Sequence, residues 1–195
     1  MVFQERTYSV LLVSASEKFN TSVIPLLPPT DYWPVQTAKS VAEAQRKLLD
    51  SAYDIVVVNA PLPDDFGMQL AASICSGSSA GVMLLVKSEL YNDVYARVVE
   101  QGVLTLPKPV TRQTLSQSLQ VLCATRERLR RMEEKQVSVE KKIEEIRLVN
   151  RAKWLLIECL SRTEADAHRY IERQAMDLRI SKREMAENII KTYRD

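Results

Sequence analysis

The order of apolar and polar positions in the first half of the chain is typical of alternating strands and helices. Residues 9–13, 54–58 and 82–86 are short runs made almost wholly of apolar side chains. Runs of this length are typical of strands that are buried on both faces of a parallel sheet. Residues 35–38 and 103–106 are weaker candidates for two further strands.

Segments with helical spacing separate these runs. Apolar side chains recur every three or four residues in segments 41–49 and 94–101, as on one face of an amphipathic helix. Five strand–helix units within about 120 residues are expected of a doubly wound α/β domain. We therefore predict an α/β, flavodoxin-like domain with a five-stranded parallel sheet over residues 1–122.

Glycine and proline are confined to the same half of the chain. All 4 glycines and all 8 prolines precede residue 110, and the remaining 86 residues contain neither. Because these two residue types mark turns and loops, the second half should be almost uninterrupted helix.

A heptad pattern begins at Leu115. Positions spaced by three or four residues form one stripe, which consists of Leu115, Leu119, Leu122, Arg126, Leu129, Met132, Gln136, Val139, Ile143 and Ile146. Such a stripe predicts a parallel two-stranded coiled coil over residues 112–148, and hence a homodimer. Its dimer seam would consist of Leu119, Leu122, Leu129, Met132, Val139, Ile143 and Ile146. The alternative is a single helix that packs back on the first domain.

The pattern after residue 147 predicts three helical stretches, and thus an all-α three-helix bundle over residues 140–195. Thr163 precedes Asp166 by three residues, as Ser181 precedes Glu184. A hydroxyl residue followed three positions later by an acid satisfies the free amides at a helix start. Residues 147–195 carry 11 basic and 8 acidic side chains, so this bundle should be basic.

The composition excludes several classes of site. The formal charge of the 195-residue chain is only +2, which names no partner by itself. The single histidine and three widely separated cysteines, Cys75, Cys123 and Cys159, argue against a zinc cluster, a disulfide framework and a catalytic triad. We expect no metal, cofactor or catalytic residue. No apolar run approaches the roughly 18 residues that span a bilayer, so we expect no membrane contact and a cytoplasmic location.

The residues that follow the predicted strands hold whatever chemistry the first domain has, since ligands bind beyond the carboxyl ends of parallel strands. Asn59 follows the third strand, with Pro63 four and Gly67 eight residues later, and Lys108-Pro109 ends the fifth strand. This pattern resembles the receiver domain of bacterial response regulators.

The resemblance implies a phosphoacceptor pocket that is degenerate here. In receiver domains an acidic pair holds Mg²⁺, an aspartate accepts phosphate, and a Ser/Thr and a lysine complete the site. The matching positions here hold Ser14 and Ala15, Asn59, Val86 and Lys108, so only the lysine is retained. An asparagine amide cannot form an acyl phosphate, and Mg²⁺ requires hard oxygen ligands, usually carboxylates.

We therefore predict a pseudo-receiver that responds to a regulatory protein, a small ligand or its own dimer state. Lys108 is either a structural lysine or a hydrogen-bond donor to Asn59 or to a ligand. Asp64 and Asp65, in the loop after the third strand, are expected to be solvated acids.

The C-terminal segments closely resemble the ANTAR domain. The matching stretches are residues 150–156 (NRAKWLL), 163–171 (TEADAHRYI), 175–177 (AMD) and 181–186 (SKREMA). ANTAR proteins are transcription antitermination regulators that bind hairpin loops in nascent leader RNA. The resemblance therefore implies an RNA-binding antitermination regulator and no enzyme.

Basic residues outside the predicted core are the candidates for RNA contact, because cations neutralise phosphates and flat side chains stack on unpaired bases. They are Arg151, Lys153, His168, Arg169, Arg173, Lys182 and Arg183. Trp154 is expected in the core or the dimer seam rather than on the RNA. Three alternatives remain open: an ordinary solvated basic surface, a DNA-binding response regulator, and a module that binds only protein.

Overall fold

A computed structural model describes residues 7–193, which form two compact units that divide after Arg131. The first unit contains a parallel sheet in the order β2-β1-β3-β4-β5. Its strands are β1 (Tyr8–Val13), β2 (Tyr32–Ala38), β3 (Ile55–Asn59), β4 (Gly81–Lys87) and β5 (Leu104–Lys108). Every residue of β3 is buried, as the continuous apolar run predicts for a central strand.

Helices connect the strands and form the second half of the chain. They are α1 (Glu17–Val23), α2 (Val41–Asp50), α3 (Met68–Gly77), α4 (Tyr91–Val98), α5 (Arg112–Leu160), α6 (Glu164–Leu178) and α7 (Lys182–Thr192). The predicted fold class, a flavodoxin-like sheet followed by a long helix and further helices, is confirmed. Within residues 7–193, no helix is long and apolar enough to cross a membrane.

The first turns of α5 belong to the core of the first unit. Leu119 and Leu122 are 1% and 4% exposed and pack, with Leu115, in the cluster on one face of the sheet. Leu122 lies so close to Gly81 that a Cβ added there would be 3.2 Å from its side chain. The assignment of Leu119 and Leu122 to the dimer seam is therefore corrected, because their own domain already buries them.

Arg126 extends this attachment. Its Nε lies 3.1 Å from Asp54 Oδ1, and Asp54 Oδ2 accepts hydrogen bonds from the amide and the hydroxyl of Ser9. The arginine that interrupts the apolar stripe therefore anchors α5 to the sheet. The alternative of a helix that packs back on the first domain holds for this part of α5.

The second unit has a small core of its own. Ala152 and Leu156 of α5 pack against α6 and α7, where Ile171 and Ile189 are buried. Both predicted helix starts are confirmed, because Thr163 Oγ1 accepts the amide of Asp166 at 3.2 Å and Ser181 Oγ accepts that of Glu184 at 3.1 Å.

The turn between α6 and α7 uses an arginine where glycine is usual. Arg179 has φ 53°, a left-handed conformation that costs a non-glycine residue roughly 1–2 kcal/mol. The amides of Arg179 and Ile180 donate to carbonyls in the last turn of α6, at 3.1 and 3.0 Å. These bonds hold the arginine in place and close the helix.

Replacing Arg179 by glycine should therefore stabilise the second unit by about 1 kcal/mol. Chemical unfolding followed by circular dichroism measures the change. Arg169→Gly is the matched control: Arg169 lies inside α6, where glycine should instead destabilise by about 1 kcal/mol. Equal effects of the two changes would contradict the assigned backbone conformation.

Candidate functional site

The carboxyl ends of the strands carry a closed hydrogen-bond network in the first unit. Ser14 and Asn59 are buried, and the Asn59 Nδ2 donates to Ser14 Oγ at 3.0 Å. Lys108 Nζ donates to Asn59 Oδ1 at 2.9 Å and also to the carbonyl of Ala60. Both ends of the Asn59 amide are thus occupied by neighbouring side chains.

Burial, and secondarily the charge of Lys87, lower the pKa of Lys108 below its ordinary value. No carboxylate takes part in the network that Ser14, Asn59 and Lys108 form, so nothing there compensates the ammonium charge. The sequence left open whether Lys108 is a structural lysine or a hydrogen-bond donor to Asn59 or a ligand, and the geometry supports a donor to Asn59.

These side chains do not fit a Mg²⁺ ion. Ala15 offers only a methyl group, and Val86 is buried in the sheet core. Ser14 and Asn59 supply neutral oxygens that already accept hydrogen bonds, whereas Mg²⁺ is usually held through carboxylates. Among residues 7–193, no group of three or more histidine, cysteine or acidic side chains is placed to hold a metal.

Asp64 and Asp65 have structural roles that the sequence analysis missed. Asp64 accepts the amides of Val41 and Ala42 through its two carboxylate oxygens, at 2.9 and 3.0 Å. These bonds lower the pKa of Asp64 and cap the start of α2. Asp65 accepts the amide of Gly67 at 2.7 Å. Both carboxylates face solvent, as expected, and they make these hydrogen bonds in addition.

In the second unit, α5, α6 and α7 form a groove of about 400 Å³, which we call the basic groove. Three of the seven predicted RNA-binding residues line it together: Lys153, His168 and Lys182. Lys142 and Asn150 also line it, and the sequence analysis did not single them out. Their spacing from Lys153, at eleven and three residues, matches one face of α5 and could have revealed them.

Acidic side chains hold the cations of the basic groove in position. Lys153 Nζ lies 3.0 Å from Glu164 Oε1. Lys182 donates to Glu172, whose Oε1 is also 3.4 Å from His168 Nε2. The hydrogen bond from Lys182 is the main cause of the lowered pKa of Glu172, and the charge of Lys182 and the proximity of His168 add to it.

The other four candidates lie outside the lining of the groove. Arg151 and Arg169 are exposed. Arg173 and Arg183 form surface ion pairs with acids one turn further along their helices, Asp177 at 3.9 Å and Glu187 at 3.0 Å. The structure therefore gathers the lysines and the histidine at one place and leaves the arginines dispersed.

The apolar stripe beyond the first unit has no partner within the described part of the chain that would bury it. Met132, Val139, Ile143 and Ile146 are between 45% and 59% exposed. Trp154 is 64% exposed, so its assignment to the core of the bundle is wrong, whereas the alternative of a seam position still stands. Ile146 also lines the basic groove, which places the groove beside the stripe.

Comparison with known proteins agrees with the division of the chain into two units. Residues 138–190 match the ANTAR domain family. The chain is also 27% identical, over 140 residues, to the transcriptional regulatory protein PdtaR of Mycobacterium tuberculosis; the alignment covers 71% of this chain and 68% of the relative.

Solved structures resemble the first unit. A signal receiver domain of an HD domain-containing protein from Pseudomonas fluorescens superposes with a TM-score of 0.57 at 24% identity, covering 67% of this chain and 96% of that one. A CheY-like receiver domain from Methylobacillus flagellatus gives 0.51 at 19% identity, covering 60% and 99%. These likenesses establish the receiver fold of the first unit.

Proposed function

We propose that this chain, an ANTAR-domain response regulator with a receiver-like N-terminal domain, is a dimeric RNA-binding regulator of transcription antitermination that acts in the cytoplasm. Neither the ANTAR match nor the receiver likeness points to an enzyme family. The observation that carries the proposal is the basic groove, where lysines from α5 and α7 and the histidine of α6 converge beside Asn150.

The chemistry of the groove suits a hairpin loop in nascent leader RNA. Ammonium groups neutralise phosphates and release counterions, while imidazole and amide groups can stack on or hydrogen-bond to unpaired bases. The acids that hold Lys153 and Lys182 are solvent-exposed, so a phosphate can replace them as partners of the lysines.

The exposed stripe of α5 supports a homodimer. Its apolar residues keep heptad spacing from Met132 to Ile146, and pairing two such helices would bury side chains that a single chain leaves in water. A dimer presents two basic grooves, and joining two weak sites raises the apparent affinity for paired hairpins through effective concentration.

Reversing the charge of Lys182 tests the RNA site. Lys182→Glu should weaken binding to leader hairpins by roughly tenfold and flatten the salt dependence of binding. Fluorescence anisotropy with labelled hairpins at several salt concentrations measures both effects. Lys191→Glu, an exposed change in α7 outside the groove lining, is the matched control and should have a smaller effect.

Three results would reject the proposal. If duplex DNA of the same length competes as well as the hairpin, the chain is a DNA-binding regulator. Equal losses for Lys182→Glu and Lys191→Glu would mean that only the overall charge of the surface matters. If no polyanion binds even at low salt, the helical domain is a protein-interaction module.

The receiver-like domain, we propose, does not accept phosphate, because Asn59 occupies the acceptor position and both ends of its amide are held by Ser14 and Lys108. Incubation with acetyl phosphate and Mg²⁺ should leave the intact mass unchanged. A gain of one phosphoryl group that is lost in acid, mapped to residues 7–131, would overturn this claim.

A further inference from the structure

The receiver-like domain has a second feature, a cavity of about 480 Å³ that the network of Asn59 does not fill. It opens at the carboxyl ends of β3 and β5, between α1 and the first turn of α5, and Asn59 and Lys108 form its polar end. Its volume lies in the usual range for small-molecule sites, which in α/β sheets occur at this edge.

The charged side chains that line the cavity are all basic. Lys18, Lys108 and Arg112 line it, and none of the lining side chains is acidic. Within residues 7–193, neither Lys18 nor Arg112 forms an ion pair with any carboxylate. In a chain with 27 basic and 25 acidic residues, three cations with no acid among them create a local positive potential that attracts an anion.

Much of the rest of the cavity wall is apolar. Phe19 and Leu26 are only partly buried against the sheet, and Val110 from the loop before α5 is in the same state. A ligand that covers these three side chains would remove apolar surface from water, which favours binding. A bare inorganic anion cannot do so.

The ammonium group of Lys108 lies at the polar end of the cavity. Asn59 and Ala60 accept two of its hydrogen bonds, and an ammonium group has three donors. Burial disfavours its charged form, and the charge of an anion placed against it would offset that penalty.

We propose that this cavity binds an organic carboxylate with an apolar body, whose carboxylate group pairs with Lys108, Lys18 and Arg112 and whose hydrocarbon part lies against Phe19, Leu26 and Val110. Such a ligand would be the input that replaces phosphate in this domain. This site lies in the first unit alone, so its test does not depend on RNA binding by the second unit.

Isothermal titration calorimetry of the full-length protein tests the proposal with three probes. Octanoate has both parts of the ligand, acetate has the carboxylate without the long hydrocarbon chain, and 1-octanol has the hydrocarbon chain with an uncharged hydroxyl in place of the carboxylate. We expect saturable binding of one octanoate per chain, with acetate and 1-octanol each weaker by about tenfold or more. Equal affinity for octanoate and 1-octanol, or for octanoate and acetate, would refute the assigned ligand class.

Variants locate the binding. Lys18→Ala with Arg112→Ala should weaken octanoate binding by about tenfold, while Lys39→Ala, an exposed lysine outside the cavity lining, should leave it unchanged. Ser22→Trp, a surface position of α1 that lines the cavity, should abolish binding by filling the space without removing a charge. Unchanged circular dichroism establishes that each variant is folded.

Two further outcomes would overturn the assignment of this cavity as the binding site. Octanoate binding that survives Ser22→Trp in the folded protein would place the ligand elsewhere. No saturable heat with any of the three probes would mean that the cavity takes no ligand of this class.

Discussion

Val139→Glu combined with Ile143→Glu should convert the proposed dimer to a monomer. Both side chains lie in the exposed stripe, at 54% and 45% exposure in the single chain, and a coiled coil would bury them. Each apolar side chain that is no longer buried costs about 1.5–3 kcal/mol of dimer stability. Carboxylates that face each other across the seam add repulsion. Sedimentation velocity over a range of concentrations measures the change.

The same variant should bind paired hairpins about 100-fold more weakly, because two linked sites become two separate ones. Binding to a single hairpin should change little, since neither residue lines the basic groove. Ile146 is left intact for that reason.

Val137→Glu is the matched control. Val137 is 48% exposed and lies on α5 outside the heptad stripe, so the same substitution there should leave the dimer intact. A wild-type protein that sediments as a monomer, or a doubly substituted variant that remains a dimer, would contradict the seam.

Leu119→Ala should lower the free energy of unfolding of the receiver-like domain by about 2–5 kcal/mol. Leu119 is 1% exposed and packs with Leu115 and Leu122 against the sheet, so the substitution leaves a cavity. Val121→Ala, on the same stretch of α5 but 56% exposed, should cost much less. Urea unfolding followed by circular dichroism measures both.

This prediction distinguishes the two roles that the sequence allowed for Leu119. If the leucine formed a dimer seam, its replacement would shift the dimer dissociation constant and leave the unfolding of the domain nearly unchanged. A destabilisation that does not depend on protein concentration is the result expected of a residue in the core of its own domain.

The strands and helix starts could be predicted because local patterns determine them. The run of β3 is apolar at nearly every position, and Thr163 and Ser181 carry their acids at the spacing that caps a helix. The long helix followed from the absence of glycine and proline after residue 109.

The partner of the apolar stripe could not be predicted in the same way. A spacing of three and four residues serves a helix on a sheet as well as a helix in a coiled coil. Leu122 and Val139 occupy equivalent positions in the pattern, yet one is 4% and the other 54% exposed. Arg126 was one local sign of the change, and its partner Asp54 is 72 residues away.

The sequence did not reveal three other features, each for a different reason. Asp64 caps α2 from 22 and 23 residues away, which no local motif shows. The turn at Arg179 lacks the glycine that would have marked it. The groove residue Lys142 was overlooked because the resemblance to ANTAR rested on segments that begin at residue 150.

The hydrogen-bonded chain from Ser14 through Asn59 to Lys108 has a consequence for protein engineering at this edge of the sheet. Exchanging Asn59 alone for aspartate would supply one carboxylate, but it would remove the Nδ2 donor that Ser14 now engages and would leave Ala15 without an oxygen. A Mg²⁺ site built here would therefore need several replacements together, because one exchange leaves the neighbouring ligand positions without carboxylates.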